Sequence, residues 1–207
     1  MTQTLYIHPE TPQPRLIAQA VEVLRRGGLI AYPTDTTYAL GCGVGEKAAL
    51  DQLIRIRRLD KKHQFSLMCA DLSVLATYAN IDNPDYRLLK AHTPGPYTWI
   101  LRGTSEVPRR LMHPKKRTIG IRVSDNPICQ ALLAAYGGPI MTSTLQLPDD
   151  EFPLTDPREV ATCLQGQVEM VIDGGFCGLD ETTVVDLSDG QGPVVVREGA
   201  GEVETIF

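Results

Sequence analysis

Cations and hydroxyls, rather than histidines or cysteines, are the side chains whose types and spacing suggest chemistry in this chain. Residues 55–122 hold 14 lysines and arginines against 5 acids, net +9, whereas residues 123–207 hold 2 against 15, net −13; residues 1–54 stand at −1. Two runs make up most of the basic third: Arg55, Arg57, Arg58, Lys61 and Lys62, then Arg109, Arg110, Lys115, Lys116 and Arg117. Clustered cations focus the field and recruit polyanions, so the distribution suits a basic concave groove for phosphates or RNA. The same runs also suit solvated faces neutralised by the acidic third. A hydroxyl-rich stretch, Pro33-Thr34-Asp35-Thr36-Thr37-Tyr38, follows an apolar run that reads as a strand. Ligands of α/β folds gather at the carboxyl ends of strands, so this turn is a candidate binding element; an ordinary turn held by local side-chain bonds is the competing account.

Other chemistries lack their residues. The five cysteines contain no C-x-x-C pair and the four histidines no paired spacing, so neither a disulfide framework nor a protein-held metal is expected. Cys42 and Cys69 have no neighbouring histidine–acid pairing to activate a thiolate. In Gly41-Cys42-Gly43-Val44-Gly45-Glu46 the third glycine of a dinucleotide fingerprint falls on Glu46, and neither a P-loop nor a G-x-S-x-G elbow occurs.

The elements that must position these groups alternate along the chain. Apolar residues at helical spacing predict helices over 14–26, 47–58 and 128–136, the first and last closed by Gly27-Gly28 and Gly137-Gly138. Short apolar runs predict strands at 29–33, 65–69, 98–101, 119–123, 139–143, 168–172, 183–187 and 194–197. The expectation is one α/β domain over residues 1–207, a twisted mixed sheet with flanking helices. No run approaches 18 apolar residues, and the opening residues lack a basic segment followed by an apolar one. A cytoplasmic protein without membrane contact is expected.

Four segments, in order, resemble the YrdC/Sua5 family of threonylcarbamoyl-AMP synthases. Pro33-Thr34-Asp35-Thr36-Thr37-Tyr38-Ala39-Leu40-Gly41 is similar to its P-T-D/E-T-x-Y-G-L-G signature, and Thr93-Pro94-Gly95-Pro96-Tyr97-Thr98 to its P-G-P-x-T entry. Thr118-Ile119-Gly120-Ile121-Arg122 resembles its V/I-G/A-x-R segment, and Thr182-Thr183-Val184-Val185-Asp186 with Arg197-Glu198-Gly199 its S-T-V-V-D and R-x-G ending. The likeness spans about residues 13–200, and the Phe65–Cys69 strand looks most like the YciO branch. It implies a YrdC/RibB-like fold and a nucleotidyltransferase using ATP with Mg2+, L-threonine and bicarbonate to make threonylcarbamoyl-adenylate for tRNA modification. By the same resemblance Thr34, Asp35, Arg122 and Thr182 would hold threonine, Arg122 by a bidentate pair with its carboxylate and Asp35 by its ammonium. Arg57, Arg58, Thr144, Gln146 and Arg197 would hold ATP, and Arg57, Arg122 and Thr144 would act in catalysis. Double-stranded RNA or tRNA is a further implied partner, through Arg55, Lys61, Lys62 and the 109–117 run, and a weakly active or non-catalytic RNA-binding module is the alternative function.

The sequence also departs from the family. The K-x-R-P grip aligns with Arg57-Arg58-Leu59-Asp60, S-x-N with Thr144-Leu145-Gln146, a strand-end histidine with Cys69, and the signature glycine with Ala39. Losing one charge-assisted contact costs about 2 kcal/mol, near thirtyfold in rate. On that reasoning Leu59→Arg with Gln146→Asn is expected to raise activity at least about tenfold.

Overall fold

The computed structural model describes residues 1–60 and 62–207. Along them run β1 (Gln3–Tyr6), α1 (Pro14–Arg25), β2 (Ile30–Pro33), β3 (Tyr38–Gly43), α2 (Lys47–Arg57), β4 (Ser66–Met68), α3 (Leu72–Tyr78), β5 (Ala79–Asn80) and α4 (Asn83–His92). There follow β6 (Tyr97–Gly103), β7 (Thr118–Arg122), α5 (Pro127–Tyr136), β8 (Ile140–Thr144), α6 (Pro157–Cys163), β9 (Met170–Asp173), β10 (Thr183–Asp186) and β11 (Val194–Arg197). The strands form one mixed sheet in the order β1-β9-β2-β3-β8-β4-β7-β6-β10-β11, with β5 on β6. Parallel pairs (β1–β9, β2–β9, β4–β7, β6–β10) are interleaved with antiparallel ones. Among the described residues no helix is long and apolar enough to cross a membrane.

Side-chain alternation sends the two faces of this sheet into different surroundings. Ile30 and Tyr32 of β2, with Met170 and Ile172 of β9, join Ile17, Ala20, Val21 and Leu24 of α1 and Ile128, Leu132 and Leu133 of α5 in one core. Ala31 and Val171 face the other core, with Leu50 and Leu53 of α2, Leu67, Trp99, Leu101, Ile119, Ile121 and Met141. α1 begins with Pro14 in its first turn, and Gly27, at φ +78°, releases the chain after it. α5 is capped by Asn126, whose side chain accepts from the Ile128 and Cys129 amides, and ends on Gly137 in the left-handed region. The face covered by α1 and α5 continues across β8, β4, β7 and β6, where Thr142, Ser66, Gly120 and Ile100 stand side by side in register. There it opens into a cavity.

The structure adds β1, β3, β5, α3, α4 and α6 to the elements expected from sequence, lengthens the strand expected at 98–101 to Tyr97–Gly103, and moves the ends of most others by one or two residues. β3 escapes a periodicity reading because all six of its residues are buried and two are glycine. The helix expected to reach Arg58 stops at Arg57, and Arg58 turns left-handed at φ +49°.

Candidate functional site

The cavity encloses about 300 Å³. Its floor is the sheet itself: Ser66 of β4, Thr98 and Ile100 of β6, Arg122 of β7, Thr142, Ser143 and Thr144 of β8, Val184 of β10 and Val196 of β11. Arg57 closes one side from the end of α2, with His63 and Gln64 from the following turn, and Glu181, Thr182 and Arg197 close the other. A volume at the lower end of small-molecule pockets, with apolar strips beside guanidiniums and hydroxyls, fits an amphipathic ligand carrying negative charge.

Arg122 anchors one end of the floor. Its Nη2 donates to Thr34 Oγ1 at 3.0 Å, Asp35 Oδ1 at 2.5 Å and Thr36 Oγ1 at 2.7 Å, in a pair only 6% exposed on each side. Ser124 Oγ donates to the same Asp35 oxygen at 2.6 Å. This corrects two expectations from sequence. Asp35 does not line the cavity and is the counter-charge of Arg122; Thr34 likewise gives its hydroxyl hydrogen to Thr37 O at 2.6 Å. Arg122 cannot offer a free fork either, because Nη2 is committed to three oxygens. Its Nε is buried without a hydrogen-bond partner among the described residues, and its Nη1 makes no hydrogen bond there either.

Arg57 differs. Its Nη1 donates to Ser143 Oγ at 2.6 Å and its Nε to Gln146 O at 3.2 Å, and among the described residues no carboxylate pairs with it. Burial lowers its pKa first, opposed by Glu181 and reinforced by Arg197. His63, which motif reasoning passed over as a lone histidine, stands beside it, its ring edge-on to Phe65 at 5.0 Å between centroids. Burial, then the Arg57 charge, hold its pKa down to about 4 against the pull of Asp60, so the imidazole is neutral near pH 7.

Arg197 is pinned from three directions: Nη1 to Glu181 Oε2 at 2.6 Å, Nη2 to Thr182 O at 2.9 Å and Oγ1 at 3.2 Å, and Nε to Thr182 O at 3.2 Å. The R-x-G glycine allows this. A Cβ on Gly199 would collide with Glu181 O and lie 2.7 Å from Thr182 C, so only glycine lets the strand end approach the segment that carries Thr182.

Five residues singled out from sequence therefore meet at one cavity: Arg57, Arg122, Thr144, Thr182 and Arg197. Others lie elsewhere. The Gln146 amide is spent on the Asp150 and Glu151 carbonyls, and Arg58, 70% exposed, pairs with Asp149. Leu59 packs against the hydrophobic core instead of facing the cavity. None of Arg55, Lys62, Arg109, Arg110, Lys115, Lys116 and Arg117 lines it, and Lys61 falls outside the described residues. Arg110 is paired with Asp51 and Lys116 with Asp186, so part of the basic surface is already neutralised. Cys42 and Cys69 are buried, with burial pushing both thiols up to about 12, which leaves them inert. Missed alongside His63 were Gln64 and Ser66, which carry no motif of their own.

A mixed sheet whose floor carries the signature arginine and threonines over one cavity defines the class, and the chain belongs to the Sua5/YciO/YrdC family, whose model, described as telomere recombination, matches residues 22–199. Within it, the chain is 54% identical over 204 residues to the uncharacterized protein YciO of Escherichia coli, covering 99% of this chain and 98% of that one. The crystal structure of E. coli YciO superposes with a TM-score of 0.96 over 100% of both chains. A threonylcarbamoyl-AMP synthase of Chromohalobacter salexigens is 32% identical over 177 residues, 84% of this chain and 94% of that one. P. abyssi Sua5 complexed with L-threonine matches at a TM-score of 0.90 and 27% identity, over 99% of this chain and 60% of its own.

Proposed function

We propose that this chain is a cytoplasmic threonylcarbamoyl-AMP synthase-like nucleotidyltransferase using ATP with Mg2+, L-threonine and bicarbonate. The observation that carries the reading is the meeting of Arg57, Arg122, Thr144, Thr182 and Arg197 around one cavity. The threonine amine and bicarbonate join as a carbamate with loss of water. A carbamate oxygen then attacks the α-phosphorus of ATP, the bond to the β-phosphate oxygen breaks, and pyrophosphate leaves. Arg57 neutralises charge on the phosphates, with Arg197 contributing less because Glu181 already balances it. Arg122 holds the threonine carboxylate through Nη1, which makes no hydrogen bond among the described residues, and the Thr144 and Ser66 hydroxyls supply orienting bonds. Catalysis is positioning and charge stabilisation, with no covalent enzyme intermediate. The product would supply the carbamoyl group for a tRNA adenosine modification.

The direct test is pyrophosphate release measured with each substrate omitted in turn. Release that needs both threonine and bicarbonate is the expected result; release indifferent to them removes this reading.

A second reading, a non-catalytic double-stranded RNA-binding module, draws on the exposed Arg109, Lys115 and Arg117 between β6 and β7. It predicts RNA affinity that falls steeply from low to physiological salt. A flat salt response rejects it.

A further inference from the structure

The polar groups of the cavity wall divide into those whose bonding is satisfied within the protein and those left open. Thr98 Oγ1 and Thr182 Oγ1 bond each other at 2.8 Å, Thr142 bonds Tyr32 at 2.7 Å, Ser143 accepts from Arg57, Gln64 from Thr118, and Glu181 from Arg197. His63 is different. Neither ring nitrogen makes a hydrogen bond among the described residues, while Phe65 and the backbone bond from its amide to Asp60 O hold the ring in the wall.

We propose that His63 binds anions in this cavity as an imidazolium: a phosphate-bearing ligand arriving beside Arg57 brings a proton onto the His63 ring, so that occupancy of the site is coupled to pH. The inference rests on reading this cavity as a phosphate site, and it assigns that site a proton.

The empty site keeps the ring neutral for identifiable reasons. Burial and the Arg57 guanidinium from α2 outweigh Asp60 in the same turn and hold the pKa to about 4. The further charges on the cavity wall are Arg122 from β7, with Asp35 bonded behind it, and the Glu181–Arg197 pair, which balance one another. An oxyanion between Arg57 and His63 replaces a repelling charge by an attracting one, and it accepts hydrogen bonds that only the protonated ring can donate from both nitrogens. The bound complex therefore holds one more proton than the free protein from about pH 4 up to the raised bound-state value. Affinity rises as pH falls through that window, by up to about tenfold per pH unit, and is level above it. Among the described residues no other histidine lines the cavity.

Sulfate is the probe, because it remains a dianion between pH 5 and 8. Its binding is followed at constant ionic strength across that range for the wild type and for His63→Gln, with the His63 ring resonance followed by NMR with and without sulfate. The expected result is tighter wild-type binding as pH falls, a level profile in His63→Gln, and a ring pKa raised by sulfate. Sulfate binding with no pH slope, an equal slope in both proteins, or an unmoved ring pKa overturns the proposal while leaving the synthase reading intact. Failure of sulfate to bind at any pH overturns the proposal, and the synthase reading is then decided by pyrophosphate release alone. Proton-linked sulfate binding without substrate-dependent pyrophosphate release keeps this proposal and removes the synthase assignment. The ring resonance is read in the wild type, so the test survives even if His63→Gln fails to fold.

Discussion

The two ends of the cavity floor handle a buried guanidinium in opposite ways. At one, Arg122 commits its Nη2 to a network with Asp35, Thr34, Thr36 and Ser124. At the other, among the described residues Arg57 bonds only a hydroxyl and a carbonyl, beside an imidazole and hydroxyls without protein partners there. A buried ion pair is held in place by its own counter-charge, whereas a half-buried cation without a counter-charge is poised to take one from a ligand. The first end is framework; the second is where binding energy is available.

Substitutions can break that contrast, beginning with the closed end. Arg122→Ala strands the Asp35 carboxylate in the interior and should cost about 3–5 kcal/mol in urea unfolding. Adding Asp35→Ala should return part of the loss, and additive losses would show that the pair is not coupled. At the open end the expectation reverses. Arg57→Ala should leave stability within about 1.5 kcal/mol yet weaken ATP binding about ten- to a hundredfold by calorimetry. A large unfolding effect with intact ATP affinity would erase the distinction. Gly199→Ala should cost about 1–2 kcal/mol, because a new methyl must displace backbone where Arg197 is pinned; a denaturation midpoint equal to wild type would contradict this.

Two smaller effects sharpen it. The ligand-free His63 ring has its pKa lowered from 6.5 to about 4, so the unfolded chain binds more protons in that interval. Stability should be level above this window and decline as pH falls through it, with the decline shallower in His63→Gln. Smallest is Leu59→Arg with Gln146→Asn. The family pattern alone suggests at least about tenfold gain, but Leu59 packs on the core and the Gln146 amide is spent on loop carbonyls. The structure lowers the expectation to less than about threefold in pyrophosphate release.

The fold was largely legible where a pattern had a physical reason to exist. α1 shows because only one of its faces is buried, and α5 shows through Asn126 ahead of it and Gly137 behind. α4 was overlooked although Asp82 caps it and Pro84 sits in its first turn, since its single fully buried residue, Leu89, leaves no stripe to read. For the site, motif position located the arginines but not their partners. That Asp35 would turn inward to Arg122 depends on Thr34–Thr36 lying against the end of β7, a contact between residues 87 positions apart. His63 has no motif at all; its place follows from the turn between α2 and β4, which only the folded chain defines.

The parallel pairing of β6 with β10, Tyr97 against Thr183, has a kinetic consequence. Arg57 and Arg197 reach a common cavity only after β10 has docked on β6, and β1 must wait still longer along the chain for β9. Such distant pairings make for slow folding, because the closure entropy is spent before the contacts reward it. The cavity wall is complete only when β10 and β11 have docked, and an anion bound across it would hold those late strands on the sheet.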